Sequence, residues 1–359
     1  MKYFASIVNL RCWGCIWLLL LARPVWAAPC TSATTACTEW ITVAGGPARS
    51  SVYRSYSLSA KNESIARALI VIHGAGRDAD NYYRSSLAAG FLAGALDDAI
   101  IIAPRIASNN GGACLDTLAS DEVSWTCDGP DSWRYGGPAI GNGKITSFDL
   151  VDEILRKLAH KEVFPSLKTI VVAGHSAGGM FVTRYEMANQ VHNTLGVPIA
   201  YVVANPSSYA YMEAIRPTSL AYPITAASPG YMPVVPVERF LPFSDARNCG
   251  TYDDWPYGFH NRTGYAARLT DDQLKQQFVA RSTTYLLGEL DILPLGGMDV
   301  SCAAMAQGPT RLARGLAFAK YVKEKVAAQH KTVVVPLCGH NARCMFTAEP
   351  ALPLIFPKQ

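Results

Sequence analysis

With 359 residues, half of them apolar and 17% charged, the chain can bury a large core without help from a partner, and α/β folds of this length commonly form one unit. The formal charge is +4, and Lys and Arg nowhere gather into a block of five or more, so the chain lacks the basic stripe that nucleic acid or an anionic membrane surface would need.

Residues 1–27 have the layout of a secretory signal peptide: Lys2 and Arg11 precede an apolar run at 12–22, and small residues surround Ala27 and Ala28. The run is 11 residues long, against roughly 20 needed to span a bilayer, so no stable membrane insertion is expected. Cleavage removes Cys12 and Cys15 and leaves Cys30, Cys37, Cys114, Cys127, Cys249, Cys302, Cys338 and Cys344. An even number behind a leader points to disulfides and to a periplasmic or extracellular compartment. Short spacings suggest Cys30 with Cys37, Cys114 with Cys127 and Cys338 with Cys344, which leaves Cys249 for Cys302. The mature chain keeps no Cys-x-x-Cys pair, so no metal is expected.

Residues 28–359 read as a single domain, with no repeat or linker to divide them. Residues 30–37 show little periodicity, and 52–58 alternate like an early edge strand. Continuous apolar, β-branched runs at 68–73 and 99–103 read as strands buried on both faces, and further strands are read at 169–173, 200–204, 283–287 and 332–336. Helical spacing at 82–96, 148–158, 180–191 and 312–329 falls between them, and 148–158 carries acids early and Lys and Arg late, as the helix dipole favours. Such alternation predicts an α/β fold, a mostly parallel sheet with helices on both faces. Two intervals break the rhythm, 108–143 and 205–272; segments that long usually serve a site, and the second is expected to form a cap or insertion.

The sharpest motif is Gly174-His175-Ser176-Ala177-Gly178, placed between a strand run and a helix-compatible stretch. A serine hydroxyl is a weak nucleophile, so it needs exposure on a tight turn and a base beside it. The chain order of this motif's partners is Ser, then Asp or Glu, then His, which leaves His330 and His340 as bases. His330 ends a helical stretch and suits a helix C-terminus, whereas His340 follows the last strand, where active-site loops gather. His340 is therefore the expected base. In Leu287-Gly288-Glu289-Leu290-Asp291, at the end of the penultimate strand, Asp291 is the expected acid that fixes the imidazole tautomer, with Glu289 second and Asp299 third. Ala177 N–H and the turn Gly74-Ala75-Gly76 after His73, through Ala75 or Gly74, are the expected oxyanion donors. That turn lacks the Gly-x-Gly-x-x-Gly spacing and a Walker lysine, so no nucleotide cofactor is expected. A Cys338 to Cys344 bridge would enclose His340 in a small loop and limit its drift from Ser176.

The motifs His73-Gly74, Gly174-His175-Ser176-Ala177-Gly178, Gly288 with Asp291, and Gly339-His340 resemble the α/β-hydrolase superfamily along nearly all of the mature chain. The chain is similar to the secreted esterase branch, loosely to polyhydroxyalkanoate depolymerase-like and feruloyl-esterase-like enzymes. It departs from typical lipases in having no clear amphipathic lid helix. The resemblance implies a serine hydrolase that cleaves a small-molecule or polymeric carboxylic ester through an acyl-enzyme on Ser176. A serine peptidase on the same fold and an inactive binding protein are the alternatives.

Among the many rings of 205–272 (Tyr209, Tyr211, Tyr222, Tyr231, Phe240, Phe243, Trp255, Tyr257 and Phe259), most are expected to pack a cap and two or three to face substrate. Tyr209 and Trp255 are the candidates there, with Trp133 from the disulfide-bearing interval; Trp125 and Arg134 are further possibilities in that interval.

Overall fold

The computed structural model describes residues 28–219, 237–294 and 297–358, so the leader at 1–27, with Cys12 and Cys15, and the rings Tyr222 and Tyr231 lie outside the described residues. Among the described residues eight strands form the central sheet: β1 (Thr38–Thr42), β2 (Arg49–Arg54), β3 (Arg67–Ile72), β4 (Ala99–Pro104), β5 (Thr169–His175), β6 (Ile199–Ala204), β7 (Ser282–Gly288) and β8 (Lys331–Val335). They lie in the order β1-β2-β4-β3-β5-β6-β7-β8. β2 pairs antiparallel with β1 and β4, and all other neighbours are parallel.

The longer helices are α1 (Ala79–Leu92), α2 (Ser147–Leu158), α3 (Ala177–Ala188), α4 (Asp271–Ala280), α5 (Arg311–Tyr321) and α6 (Ala342–Thr347). Every residue of β3 and β4 is buried, as unbroken aliphatic runs require when helices cover both faces. Side chains alternate between two cores. Ala68, Ile70 and Ile72 belong to the core that also holds Phe148 of α2, Phe181 of α3, Phe278 of α4 and Phe318 of α5, while Leu69 and Val71 belong to the one that holds Tyr83 and Leu87 of α1 and Met345 and Phe346 of α6.

Local chemistry sets the helix ends. α2 opens on a capping box between Thr146 and Asp149 and closes with Arg156 and Lys157 in its last turn. The spacing predicts a helix to 96, but α1 stops at Leu92 because Gly94 adopts φ +61° and Ala95 N–H returns to Gly90 O at 2.8 Å. α5 likewise ends at Tyr321; a π-turn at Val322–Val326 and a left-handed Ala327, φ 58°, follow it. The two unrhythmic intervals are not structureless. The first holds the hairpins Asn109–Gly111 with Cys114–Leu115 and Pro138–Ala139 with Asn142–Thr146, and the second pairs Ile215–Ser219 with Val237–Pro242.

All four disulfides have the partners that the spacings suggest: Cys30–Cys37, Cys114–Cys127, Cys249–Cys302 and Cys338–Cys344. Among the described residues no helix is long and apolar enough to cross a membrane. The strand register brings the C-terminal ends of the central strands level, with His175 opposite Ala204, Ala204 opposite Leu286, and Gly288 opposite Val335. Loops leaving β3, β5, β6, β7 and β8 therefore meet at one edge of the sheet.

Candidate active site

Between β5 and α3 the chain turns on Ser176, at φ 60° and ψ −119°. A non-glycine residue held there stores on the order of 1–3 kcal/mol of strain, which surrounding structure must offset. Close backbone contact does so. A Cβ at Gly174 would fall 2.2 Å from Gly178 O, and one at Gly178 would fall 2.1 Å from Ile72 O, so the turn closes only with glycine at both. Ser176 N–H donates to Ala204 O at 3.0 Å, which fastens the turn to the end of β6.

His340 lies between Ser176 and Asp291, 2.9 Å from Ser176 Oγ through Nε2 and 2.7 Å from Asp291 Oδ2 through Nδ1. An ionised carboxylate only accepts, so Nδ1 carries the ring proton and Nε2 accepts from the serine hydroxyl. Asp291 is 2% exposed, its N–H donates to Gly288 O at 3.1 Å, and Arg311 Nη1 stands 3.5 Å from its second oxygen. The other acids are engaged elsewhere: Glu289 accepts from Leu337 N–H at 2.9 Å, and Asp299 from Tyr257 Oη at 2.6 Å. His330 sits 2.8 Å from both Tyr285 Oη and Phe278 O, so it caps the C-terminal end of α4, not the helix that precedes it in sequence.

Ala177 is the first residue of α3, where a backbone N–H has no partner within the helix and the dipole is positive. Across from it, the turn after β3 exposes Ala75. Arg77 holds this turn by donating to Ala75 O at 3.0 Å and to Asp116 Oδ2 at 2.6 Å, and Asp116 also takes Ser108 N–H at 2.8 Å. The interval 108–143 thus serves the site through Arg77 and Asp116, a pairing no local pattern signals. His73 is buried beneath the turn. Its Nε2 accepts from Ile106 N–H at 3.0 Å, which leaves Nδ1–H to donate to Gly74 O at 2.9 Å, and burial pushes its pKa down to about 4. Asn205, in a left-handed conformation just after β6, accepts from Gly288 N–H at 2.7 Å and donates to Gly339 O at 3.3 Å, clamping the acid loop to the base loop.

A cleft of about 450 Å³ opens over Ser176, bounded by Gly74, Ala75, Gly76, Asn81, His340 and Arg343 among others. Trp133, Tyr209 and Trp255, the rings expected near substrate, do not line it. Trp133 is fully buried, edge-on to His73 at 5.0 Å; Tyr209 stacks on Phe318 at 4.4 Å; Trp255 is buried in the core beneath the 205–272 segment. Trp133 packs between His73 and Phe181, while buried guanidinium groups draw the segment of Tyr209 and Trp255 inward. Arg184 donates to Pro256 O at 2.7 Å and Ser208 O at 3.2 Å, and Arg314 donates to Ser207 O and to Asp299 O at 2.8 Å.

The sequence profile of the alpha/beta hydrolase family matches residues 69–352. No curated protein matches the chain. Among solved structures, the chain is similar to LpqC, a poly(3-hydroxybutyrate) depolymerase from Bordetella parapertussis, at 21% identity and TM-score 0.55, over 87% of this chain and 85% of that one. It is also similar to poly(aspartic acid) hydrolase-1 from Sphingomonas sp. KT-1, at 20% identity and TM-score 0.54, over 89% of this chain and 97% of that one. At such identities the likeness is one of fold, the α/β-hydrolase fold. With four fifths of its length matched by the family profile and its sheet in the same architecture, the chain belongs to the alpha/beta hydrolase family.

Proposed function

We propose that the protein is a serine hydrolase that cleaves carboxylic esters by way of an acyl-enzyme on Ser176. The observation that carries this reading is the continuous hydrogen-bonded line Ser176, His340, Asp291 at the floor of an open cleft. In this mechanism His340 Nε2 takes the hydroxyl proton as Ser176 Oγ attacks the ester carbonyl, and Asp291 stabilises the imidazolium. Backbone N–H groups of Ala177 and Ala75 receive the oxyanion. His340 then protonates the departing alkoxide, and a water molecule, activated by the same imidazole, releases the acid and restores Ser176. The disulfides support a secreted protein, and the leader-like 1–27 segment suits the same reading.

The experiment is labelling with a fluorophosphonate, followed by turnover of a panel of short esters, aryl esters and peptides by wild type and Ser176→Ala. Wild type should label at Ser176 and hydrolyse esters, and Ser176→Ala should lose both, with turnover down by about 10⁵-fold or more. Ester turnover near the wild-type rate in Ser176→Ala would overturn the nucleophile; cleavage of peptides without esters would overturn the substrate class; failure to label or turn over anything would favour a binding protein.

A further inference from the structure

The hydrogen bonds of His340 to Asp291 and Ser176 fix the line through its two ring nitrogens, and packing sets the plane of the ring about that line. The ring borders the open cleft, whose lining also includes His175 and Tyr82. It packs against His175, the residue before Ser176, whose ring lies 4.6 Å away between centroids with the planes 36° apart. His175 is 3% exposed, and its only hydrogen bond among the described residues joins Nδ1 to Tyr82 Oη at 3.0 Å; Nε2 is buried without a partner. Phe346 lies edge-on to the same ring at 6.4 Å, and the phenol gives that ring its one directional contact among the described residues.

Tyr82 stands on α1 and reaches the turn that carries Ala75. A Cβ at Gly74 would fall 2.7 Å from Tyr82 Oη. Burial drives the phenol pKa upward, and Gly74 N–H, directed at the phenol oxygen, pulls against it. One hydrogen bond, 3.0 Å long, joins the phenol to His175 Nδ1. Burial foremost, then the neighbouring His340 and Arg311, hold His175 well below the usual imidazole pKa, so it stays neutral. A neutral ring can lie against His340 when that residue takes up the serine proton, presenting a π face to the cation without repelling it.

The geometry points to Tyr82 and His175 as a positioning pair that holds the His340 ring plane toward Ser176 and couples it to the Gly74–Ala75 turn. This rests on the reading of Ser176 as nucleophile and His340 as base. Neither residue of the pair touches the reacting atoms; Tyr82 acts through His175, and His175 acts through His340.

The test is ester turnover by Tyr82→Phe, with kcat expressed per fluorophosphonate-titrated serine so that misfolded protein does not count. Because small misplacement of a reacting group is expensive in rate, kcat should fall about tenfold while KM stays within about twofold. Tyr83→Phe is the control: its hydroxyl, one position along the same buried helix, donates to Cys30 O at 2.5 Å, and its loss should leave kcat unchanged. His175→Asn should lose at least as much as Tyr82→Phe, and the double variant should lose no more than His175→Asn alone, the signature of residues acting as one unit. Wild-type kcat in Tyr82→Phe, additive losses in the double variant, or a decline that vanishes after titration would each overturn the pair. The nucleophile reading fails separately, through turnover that survives Ser176→Ala.

Discussion

On one side of Ser176 the cleft is bounded by Gly74, Ala75 and Gly76 from the turn after β3, by Asn81 and Arg84 from the start of α1, and by Asn341, Ala342 and Arg343 from the start of α6, small or polar residues of which several are exposed. On the other side the chain from Asn205 to Tyr211 is buried throughout, with Arg184 and Arg314 committing their donors to its carbonyls. Burial takes both guanidinium groups down to about 10, the direction expected when a charge leaves water and its partners are mostly neutral carbonyls. The difference separates two tasks that a ring-rich sequence tends to merge. The closed side holds the ends of β5, β6 and β7 in register so that Ser176 and Asp291 keep their places, and the open side carries the cleft.

The largest effect should come from breaking the closed side at its acid. Asp291→Asn leaves the shape but lets the imidazole adopt the wrong tautomer, and kcat for a p-nitrophenyl ester should fall by about 10⁴-fold. Glu289→Gln, whose carboxylate holds Leu337 N–H, should remain within about threefold of wild type, as befits a group with no part in proton transfer. A severe Glu289→Gln beside a mild Asp291→Asn would move the acid to the loop and erase the distinction.

Next in size is a contrast in stability. Trp255→Ala removes a buried ring from the closed side and should cost about 3–5 kcal/mol in urea unfolding, with KM of the surviving enzyme unchanged. Arg343→Ala removes an exposed side chain from the open side; its unfolding should stay within about 0.5 kcal/mol of wild type, and its KM for esters should change. If Trp255→Ala shifted KM and Arg343→Ala did not, substrate would be meeting the other wall.

These contrasts also mark what a reading of residues reaches. Five of the strands announce themselves because a parallel strand covered on both faces is rich in buried apolar residues, and all six runs end near a Gly or Pro; β8 differs, closing the edge of the sheet with Lys331, Thr332 and Val334 exposed. Ser176, Asp291 and His340 were legible because they sit immediately beyond three of those strands in the chain order the chemistry uses. β1 was missed, since Thr38-Glu39-Trp40-Ile41-Thr42 is an edge strand with one buried residue and no clean alternation. The burial of Trp133, Tyr209 and Trp255 was not legible either: Trp133 meets His73 and Phe181, and the segment of Tyr209 and Trp255 is held by Arg184 and Arg314, all tens of residues away in sequence. Tyr82 and Asn205 join loops that only the sheet register brings together.

A smaller effect tests the open side, where His340 has covalent support. Cys338–Cys344 closes a short loop around it. Cys338→Ser with Cys344→Ser should lower ester turnover by up to about a hundredfold at temperatures where circular dichroism still matches wild type, because the imidazole loses its restraint. Cys30→Ser with Cys37→Ser, remote from the cleft, should lower thermal stability by a few kcal/mol and leave turnover alone. Equal turnover in the two double variants would mean that the closed side alone positions the base.

The smallest effect concerns the anchor of the closed side. Asp152 of α2 accepts from Tyr185 Oη and Tyr265 Oη, each at 2.6 Å, and Tyr265 belongs to the 205–272 segment, so this carboxyl ties the segment to the core. Burial raises its pKa from 3.8 to about 6, against the pull of the two phenols; Asp149 adds to the rise and Arg156 opposes it. The folded protein therefore holds this proton more tightly than the unfolded chain. The resulting contribution to stability is fully present below the unfolded pKa and is lost as pH climbs through about 6. At 1.36 kcal/mol per pH unit, the full change is on the order of 3 kcal/mol, of which roughly 2 falls above pH 4. Glu186, raised to about 8 by burial, adds its own pH dependence, but it does so equally in wild type and in an Asp152 variant. Asp152→Asn cannot ionise, so its stability relative to wild type should improve by roughly 2 kcal/mol between about pH 4 and about pH 8, read as the difference in urea unfolding free energy at each pH. A difference that stays flat with pH, or runs the other way, would show that the carboxylate is at ease where it lies and that the closed side is anchored by something else.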